Sequence, residues 1–190
     1  MLWCSKFGFL VLMATVNLLP NADVSNDWTL STGSDVYALI NDDHIGIISE
    51  DSNYLSATAT AKTCIVQLQN FTEAHSSIDG VQLVLRAGND GRTETYDLET
   101  ELLPVIGGAY YTESTGTENA NRYYLTHTFT NRTTYDGSNA WTNIIVNLLR
   151  IGITLDAHSG GTMKFTQAYV IVTYTPPLAT DNAVFFGCNF

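Results

Sequence analysis

Positive charge is what this chain has least of. Eight Lys and Arg stand against nineteen Asp and Glu, a net charge of −11. No basic residue lies between Lys6 and Lys62, whereas Asp23, Asp27, Asp35, Asp42, Asp43, Glu50 and Asp51 fall in that interval. Such a surface repels phosphates, which argues against nucleic acid and against an anionic membrane as partners. Charge of either sign is scarce too, at 14% of residues against a usual ~25%. The polar surface must therefore come from Thr, Ser, Asn and Gly. The helix-surface residues Glu, Lys, Arg and Ala are thin. Thr, Val, Ile and Tyr, which suit a pleated, half-buried surface, are plentiful. At 190 residues and 45% hydrophobic the chain supports one self-sufficient core.

Cysteine is equally uninformative as a framework. Cys4, Cys64 and Cys188 are odd in number and far apart, so neither a disulfide scaffold nor a zinc site is readable. Cys64, within Cys64-Ile65-Val66, reads as a small core residue. The four histidines, His44, His75, His127 and His158, have no His or Cys at ligand spacing. His127 lies on an apolar face and is expected to be a satisfied core histidine. There is no nucleophile elbow, phosphate loop, dinucleotide fingerprint or zincin motif. No catalytic residue, metal ligand or cofactor is assigned, and the chain is expected not to be an enzyme. Asp42-Asp43 and Glu50-Asp51 offer oxygens of the kind calcium takes, but neither forms an EF-hand loop, and solvated turn residues are the plainer reading.

Long apolar runs are missing as well. Phe7 to Leu19, apolar except for Asn17, is too short to cross a bilayer as a helix. It fits a signal-peptide core behind Lys6, a leader upstream of a start at Met13, or a hydrophobic arm. The expected organisation is a leader or arm over 1–15, a β domain over 16–175 and a tail over 176–190. Pro176-Pro177 cannot continue a ladder. The tail ends in an apolar stretch whose Val184, Phe185, Phe186 and Phe190 are candidates for docking on a neighbouring subunit; folding back on the same domain is the alternative.

What remains is alternation with period 2. Trp28-Thr29-Leu30 begins it, and Val36 to Ile40 is ambiguous between strand and helical turn. Cys64, Val66 and Leu68 share one face, as do Val81, Leu83, Leu85 and Ala87. Asn89-Asp90-Gly91 predicts a tight hairpin into Arg92 to Thr100. Leu102 to Tyr111 is a further strand broken at Gly107-Gly108, and Tyr123 to Thr130 alternates again. Ala140 to Asn147 predicts a short helix. Leu149, Ile151, Ile153 and Leu155 alternate cleanly, and Ser159-Gly160-Gly161 predicts a hairpin into Met163 to Thr175. There Val170, Ile171 and Val172 are consecutive apolar residues, which needs both faces covered or a bulge. Eight or nine strands with at most one short helix predict an all-β, two-sheet antiparallel β-sandwich of jelly-roll or Greek-key type. Trp28, Tyr110-Tyr111, Tyr123-Tyr124, Tyr135 and Trp141 are candidate stacking platforms for sugars, although aromatics in a sandwich commonly belong to the core or its rim.

The run Asn17-Leu18-Leu19-Pro20-Asn21-Ala22-Asp23-Val24 leads into Trp28-Thr29, then Asp51-Ser52-Asn53-Tyr54-Leu55. Ile78 to Ala87 and Trp141-Thr142 follow, and Gly161 to Tyr174 closes the series. Over roughly residues 16–175 this order resembles the jelly-roll-like β-sandwich domains of phage virion proteins, capsid-associated or tail-fibre. The resemblance implies a non-enzymatic virion structural protein on the particle surface, a capsid decoration or fibre-like component. It would act by contact with copies of itself and with a major capsid or tail protein, as a homo-oligomer. The alternative is a secreted or cell-surface carbohydrate-binding or adhesion module whose partner is a glycan.

Overall fold

In the computed structural model, residues 12–41, 52–89, 94–104, 111–119 and 124–178 are described. The acidic pairs Asp42-Asp43 and Glu50-Asp51, the tail residues Val184, Phe185, Phe186 and Phe190, and leader residues 1–11 lie outside them, as do Tyr110 and Tyr123.

The chain is all-β: two antiparallel six-stranded sheets stacked face to face, in jelly-roll style. The strands in chain order are β1 (Ala14–Leu18), β2 (Pro20–Asn26), β3 (Thr29–Leu30), β4 (Leu55–Ala57), β5 (Lys62–Leu68), β6 (Ser77–Asn89), β7 (Thr95–Pro104), β8 (Tyr111–Ser114), β9 (Glu118–Asn119), β10 (Leu125–Thr128), β11 (Leu149–His158) and β12 (Met163–Thr175). The first sheet runs β10-β6-β12-β4-β3, with β1 also on β12; the second runs β2-β5-β11-β7-β8, with β9 also on β7. Among the described residues there are twelve strands where eight or nine were expected, because the extra ones are short or carry little alternation of their own. The expected boundary at residue 16 falls inside β1, where Ala14 and Thr15 already pair with Tyr174 and Thr173.

The alternation sets the core. Leu149, Ile151, Ile153 and Leu155 of β11 point inward, fully buried, beside Cys64, Val66 and Leu68 of β5 and Tyr96, Leu98 and Leu102 of β7. Facing them are Val81, Leu83, Leu85 and Ala87 of β6 and Met163, Phe165, Ala168, Val170 and Val172 of β12. Each large aliphatic buried here contributes about 1.5–3 kcal/mol. Trp28 meets Phe165 edge to face, 4.8 Å between ring centroids.

Two short helices plug the sandwich. α2 (Asn143–Asn147) starts at Thr142, whose hydroxyl accepts the Ile145 N–H at 3.3 Å, and buries Ile145 and Val146. A second helical turn, α1 (Tyr37–Ile40), resolves the ambiguity at Val36 to Ile40. It forms because the Asp23 carboxylate of β2 accepts the Val36 and Tyr37 N–H groups at 2.9 and 2.8 Å, while Val36, Leu39 and Ile40 enter the core.

Two expected hairpins are absent. β6 and β7 belong to opposite sheets, and so do β11 and β12. At 159–162 Gly-rich turn chemistry reverses the chain without choosing the hydrogen-bonding partner, whereas residues 90–93 lie outside the described residues. β6 pairs with β12 and β7 with β11. A bulge at Thr166, between the Phe165 and Gln167 pairings, shifts the phase of β12. Beyond it Val170 and Val172 face inward, and Ile171 takes the outer face between Asn17 and Gln82.

Candidate functional site

The candidate stacking aromatics separate into three environments. Trp28 and Trp141 are core residues, 3% and 4% exposed. Tyr111 and Tyr135 join Trp141 in a cluster at the open edge of the sandwich. Tyr124 lies on the outer face of the first sheet.

The edge cluster is built from β8 and the segment 129–141. Arg132 forms an ion pair with Glu113, and its guanidinium lies 4.7 Å from the Tyr111 ring centroid. The second Glu113 oxygen accepts the Thr130 N–H at 2.9 Å. Tyr111 Oη donates to the Thr134 carbonyl and accepts the Gly137 N–H, each at 2.7 Å. Trp141 Nε1 donates to the Arg132 carbonyl at 2.7 Å, and Val81 and Arg132 exchange backbone hydrogen bonds. Asp136 accepts the Ser138 and Asn139 N–H groups, which holds its carboxyl below the usual carboxylate range. Most of these groups' hydrogen bonds go to one another, while among the described residues the buried Arg132 Nε has no partner. The cavity beneath them, among Leu83, Thr100, Leu102, Tyr111, Glu113 and Phe129, measures about 10 Å³, room for one water and not for a sugar ring. The cluster is a clasp that fastens the segment 129–141 to β8.

A second group bridges the sheets nearby. Tyr96 Oη lies 3.4 Å from His127 Nε2, and His127 Nδ1 is 3.9 Å from Glu118. Burial pushes the His127 pKa down, with Glu118 pulling the other way, and burial pushes Tyr96 up. His127 is thus a partnered inward-facing histidine. Cys64 is similarly inert, its thiol pushed up to about 12 by burial and then by Asp23.

The outer face of the first sheet is organised differently. Across β10, β6 and β12 the register sets Thr126, Arg86 and Gln167 in one row and Thr128, Val84 and Tyr169 in the next. Gln82, Ile171 and Asn17 follow. In the opposite direction Gly88, Lys164 and Ser56 are abreast, and Tyr124 and Tyr54 adjoin the ends of that row. The Arg86 guanidinium sits 5.5 Å from the Tyr124 ring centroid, and Lys164 Nζ sits 4.6 Å from that of Tyr54. Tyr54, Tyr124 and Tyr169 are all half-buried, and partial burial pushes the Tyr169 phenol up. Val84, in their midst, is only 2% exposed, so this face buries apolar surface outside the core cluster. Both helices put their buried residues into the core, so neither covers this face. The residues missed from sequence are Tyr54, Tyr169, Arg86 and Lys164. For Lys164 and Tyr169 the signal was the polar phase of β12, hidden by the bulge at Thr166; for Arg86 it was the outward phase of β6.

The outer face of the second sheet is acidic along β7. Its rows carry Glu101 of β7 opposite Gly152 of β11, Glu99 opposite Thr154 and, past a bulge, Asp97 opposite Ala157, while Arg150 lies opposite Leu103. Glu101 lies across Gly152, where an added Cβ would come within 2.9 Å of its carboxylate. Burial and the neighbouring Glu99 push the Glu101 carboxyl up. Among the described residues no group of three or more His, Cys, Asp or Glu converges as metal ligands, and no helix is long and apolar enough to cross a membrane.

No family model matches the chain, and no curated protein matches it. Solved structures do resemble it. A truncated AlyQ with CBM32 and alginate lyase domains aligns at 17% identity and TM-score 0.42 over 85% of this chain, which spans 34% of that protein. The CBM35 from Cellvibrio japonicus Abf62 aligns at 14% identity and TM-score 0.42 over 86% of this chain and 99% of its own. The enzymatically active domain of bacteriophage CBA120 tailspike protein 4 aligns at 9% identity and TM-score 0.39, over 86% of this chain and 19% of its own. These are likenesses of strand arrangement, and what those proteins bind or cleave is theirs.

Proposed function

We propose that this chain is a non-enzymatic carbohydrate-binding or adhesion module, and that the outer face of the first sheet is its contact surface. The observation that carries the reading is the grouping of Tyr54, Tyr124 and Tyr169 on one outer sheet face that neither described helix covers. Tyrosine offers an apolar ring with a polar tip. A pyranose offers the complement, C–H groups on its faces and hydroxyls at its rim. Thr126 and Thr128 stand in the rows between the rings with hydroxyls that can donate and accept, while Gln82 already donates its amide to the Phe129 carbonyl at 2.7 Å. A sheet face suits a chain lying across it better than a small molecule in a pocket. A glycan partner puts the module outside a cell or on the surface of a particle. The particle-bound role implied by the sequence resemblance has no separate observation among the described residues, and both readings share a scaffold that acts by contact.

The test is retention on immobilised polysaccharides for the full chain and for Tyr124→Ala/Tyr169→Ala. The expected result is retention lost in the double variant while its circular dichroism and melting temperature stay close to those of the parent. Equal retention by both proteins would remove the face from consideration.

A further inference from the structure

We infer that β1 is an association edge, where two copies of this chain pair antiparallel about a two-fold axis and join their first sheets into one. The inference does not depend on the glycan reading. It comes from how the edges of the two sheets are finished. An unpaired edge strand is a template for another strand, and folded proteins blunt such edges with proline, charge, bulges or brevity. The second sheet follows that rule on both sides. β2 opens with Pro20, carries Asp23 and shifts register twice against β5. β8 and β9 have four and two residues and carry Glu113 and Glu118. In the first sheet β3 has two residues, and β10 has four and is tied through His127 to Tyr96 and Glu118. β1 is finished differently. Its five residues, Ala14–Leu18, include no proline and no charge, and they pair with Tyr174 to Val170 of β12 without a register shift.

Among the described residues β1 pairs with β12 alone, so it is the outermost strand of that half of the sheet. The Asn17 carbonyl accepts the Gln69 side-chain amide at 3.1 Å, which turns the backbone of Asn17 away from β12. In an antiparallel strand the N–H and C=O of one residue point to the same side, and the side alternates, so Thr15 turns outward as well. Thr15 is exposed, and Leu12 and Met13 just before it are 70% and 61% exposed. A two-fold axis through Thr15 sets its N–H and C=O against those of the same residue in a second copy. The two threonine side chains then form a directly opposed cross-strand pair. A second copy is the fitting occupant because an antiparallel strand is complementary to itself. Charge agrees with this. In a chain of net charge −11, no charged residue occurs from Phe7 to Ala22, so the copies meet where the sequence carries no like charge. The axis stands perpendicular to the joined sheet, so the outer faces of the two first sheets look the same way.

Five paired residues cover less than the roughly 800 Å² per partner of a standard interface, so the dimer is a weak one. Sedimentation velocity of the full chain at low salt, from about 5 to about 500 µM, should show monomer giving way to dimer, the behaviour of an interface below standard size. Thr15→Pro removes the outward N–H without touching the β12 ladder and should weaken dimerisation about tenfold or more. Thr15→Glu and Thr15→Lys each put like charges opposite one another and should stay monomeric, while their equimolar mixture should regain the dimer. A variant that merely misfolded would not be rescued by its opposite, and the circular dichroism of each should match that of the unsubstituted chain. A chain that stays monomeric at the highest concentration overturns the inference. So does a dimer that all three variants leave intact, since it forms elsewhere on the surface. A mixture no more dimeric than its two components overturns it as well.

Discussion

Trp141→Phe distinguishes a core tryptophan from a sugar platform by stability. Trp141 is 4% exposed, and its Nε1 donates to the Arg132 carbonyl at 2.7 Å. Phenylalanine keeps most of the apolar contact but not the donor. The lost hydrogen bond costs about 1 kcal/mol. That figure stays at the low end because the Arg132 carbonyl also accepts the Val81 N–H at 3.0 Å and is not orphaned. The smaller ring adds a packing loss of up to about 1.5 kcal/mol. Together these predict ~2 kcal/mol of destabilisation, or a melting temperature lower by ~4–8 °C for a domain of this size. Urea unfolding followed by circular dichroism reads it as a shift in midpoint at constant slope. Hydrogen exchange should show faster exchange at Arg132 and Gly137, because the same indole anchors the segment that Tyr111 clasps. A loss under about 0.5 kcal/mol, the size of an ordinary surface substitution, would refute the reasoning. It would mean that the indole is not packed between the sheets.

His127 sets a pH dependence. Its folded pKa lies below the ordinary histidine value, so the unfolded chain binds the proton more readily and stability falls as pH drops through about 6.5. Above that value both states are neutral at this site and the dependence vanishes. His127→Gln should flatten the urea-midpoint difference between pH 7.5 and 5.5, and an unchanged difference would show that other groups cause it. Glu113→Gln keeps an acceptor for the Thr130 N–H but removes the charge that pairs with Arg132. A loss of about 1–2 kcal/mol is expected at low salt and a smaller one at high salt, by the same urea assay.

How much was legible beforehand follows the range of the interactions. Leu149 to Leu155 and Cys64 to Leu68 declared their buried faces because a strand's side chains alternate whatever its neighbours. The short helix expected within Ala140 to Asn147 forms at Asn143–Asn147, and its cap at Thr142 is a feature the structure adds. β1 was not legible, since Ala14–Leu18 closes a longer apolar run that begins at Phe7, and only its place beside Ile171 and Val172 makes it a strand. α1 was not, because its cap, Asp23, lies thirteen residues upstream on another element.

The amino-acid sequence by itself determined the two-layer β architecture, the buried faces and the excess of negative charge, because these depend on composition and on neighbours two residues apart. The tertiary structure decided which sheet each strand joins. It also decided that Trp28 and Trp141 are core while Tyr54, Tyr124 and Tyr169 share an outer face, with Arg86 over the Tyr124 ring and Lys164 over the Tyr54 ring. Strand pairing and a one-residue bulge at Thr166 settle which side of a sheet a residue takes, and pairing partners lie as far apart along the chain as Ala14 and Tyr174.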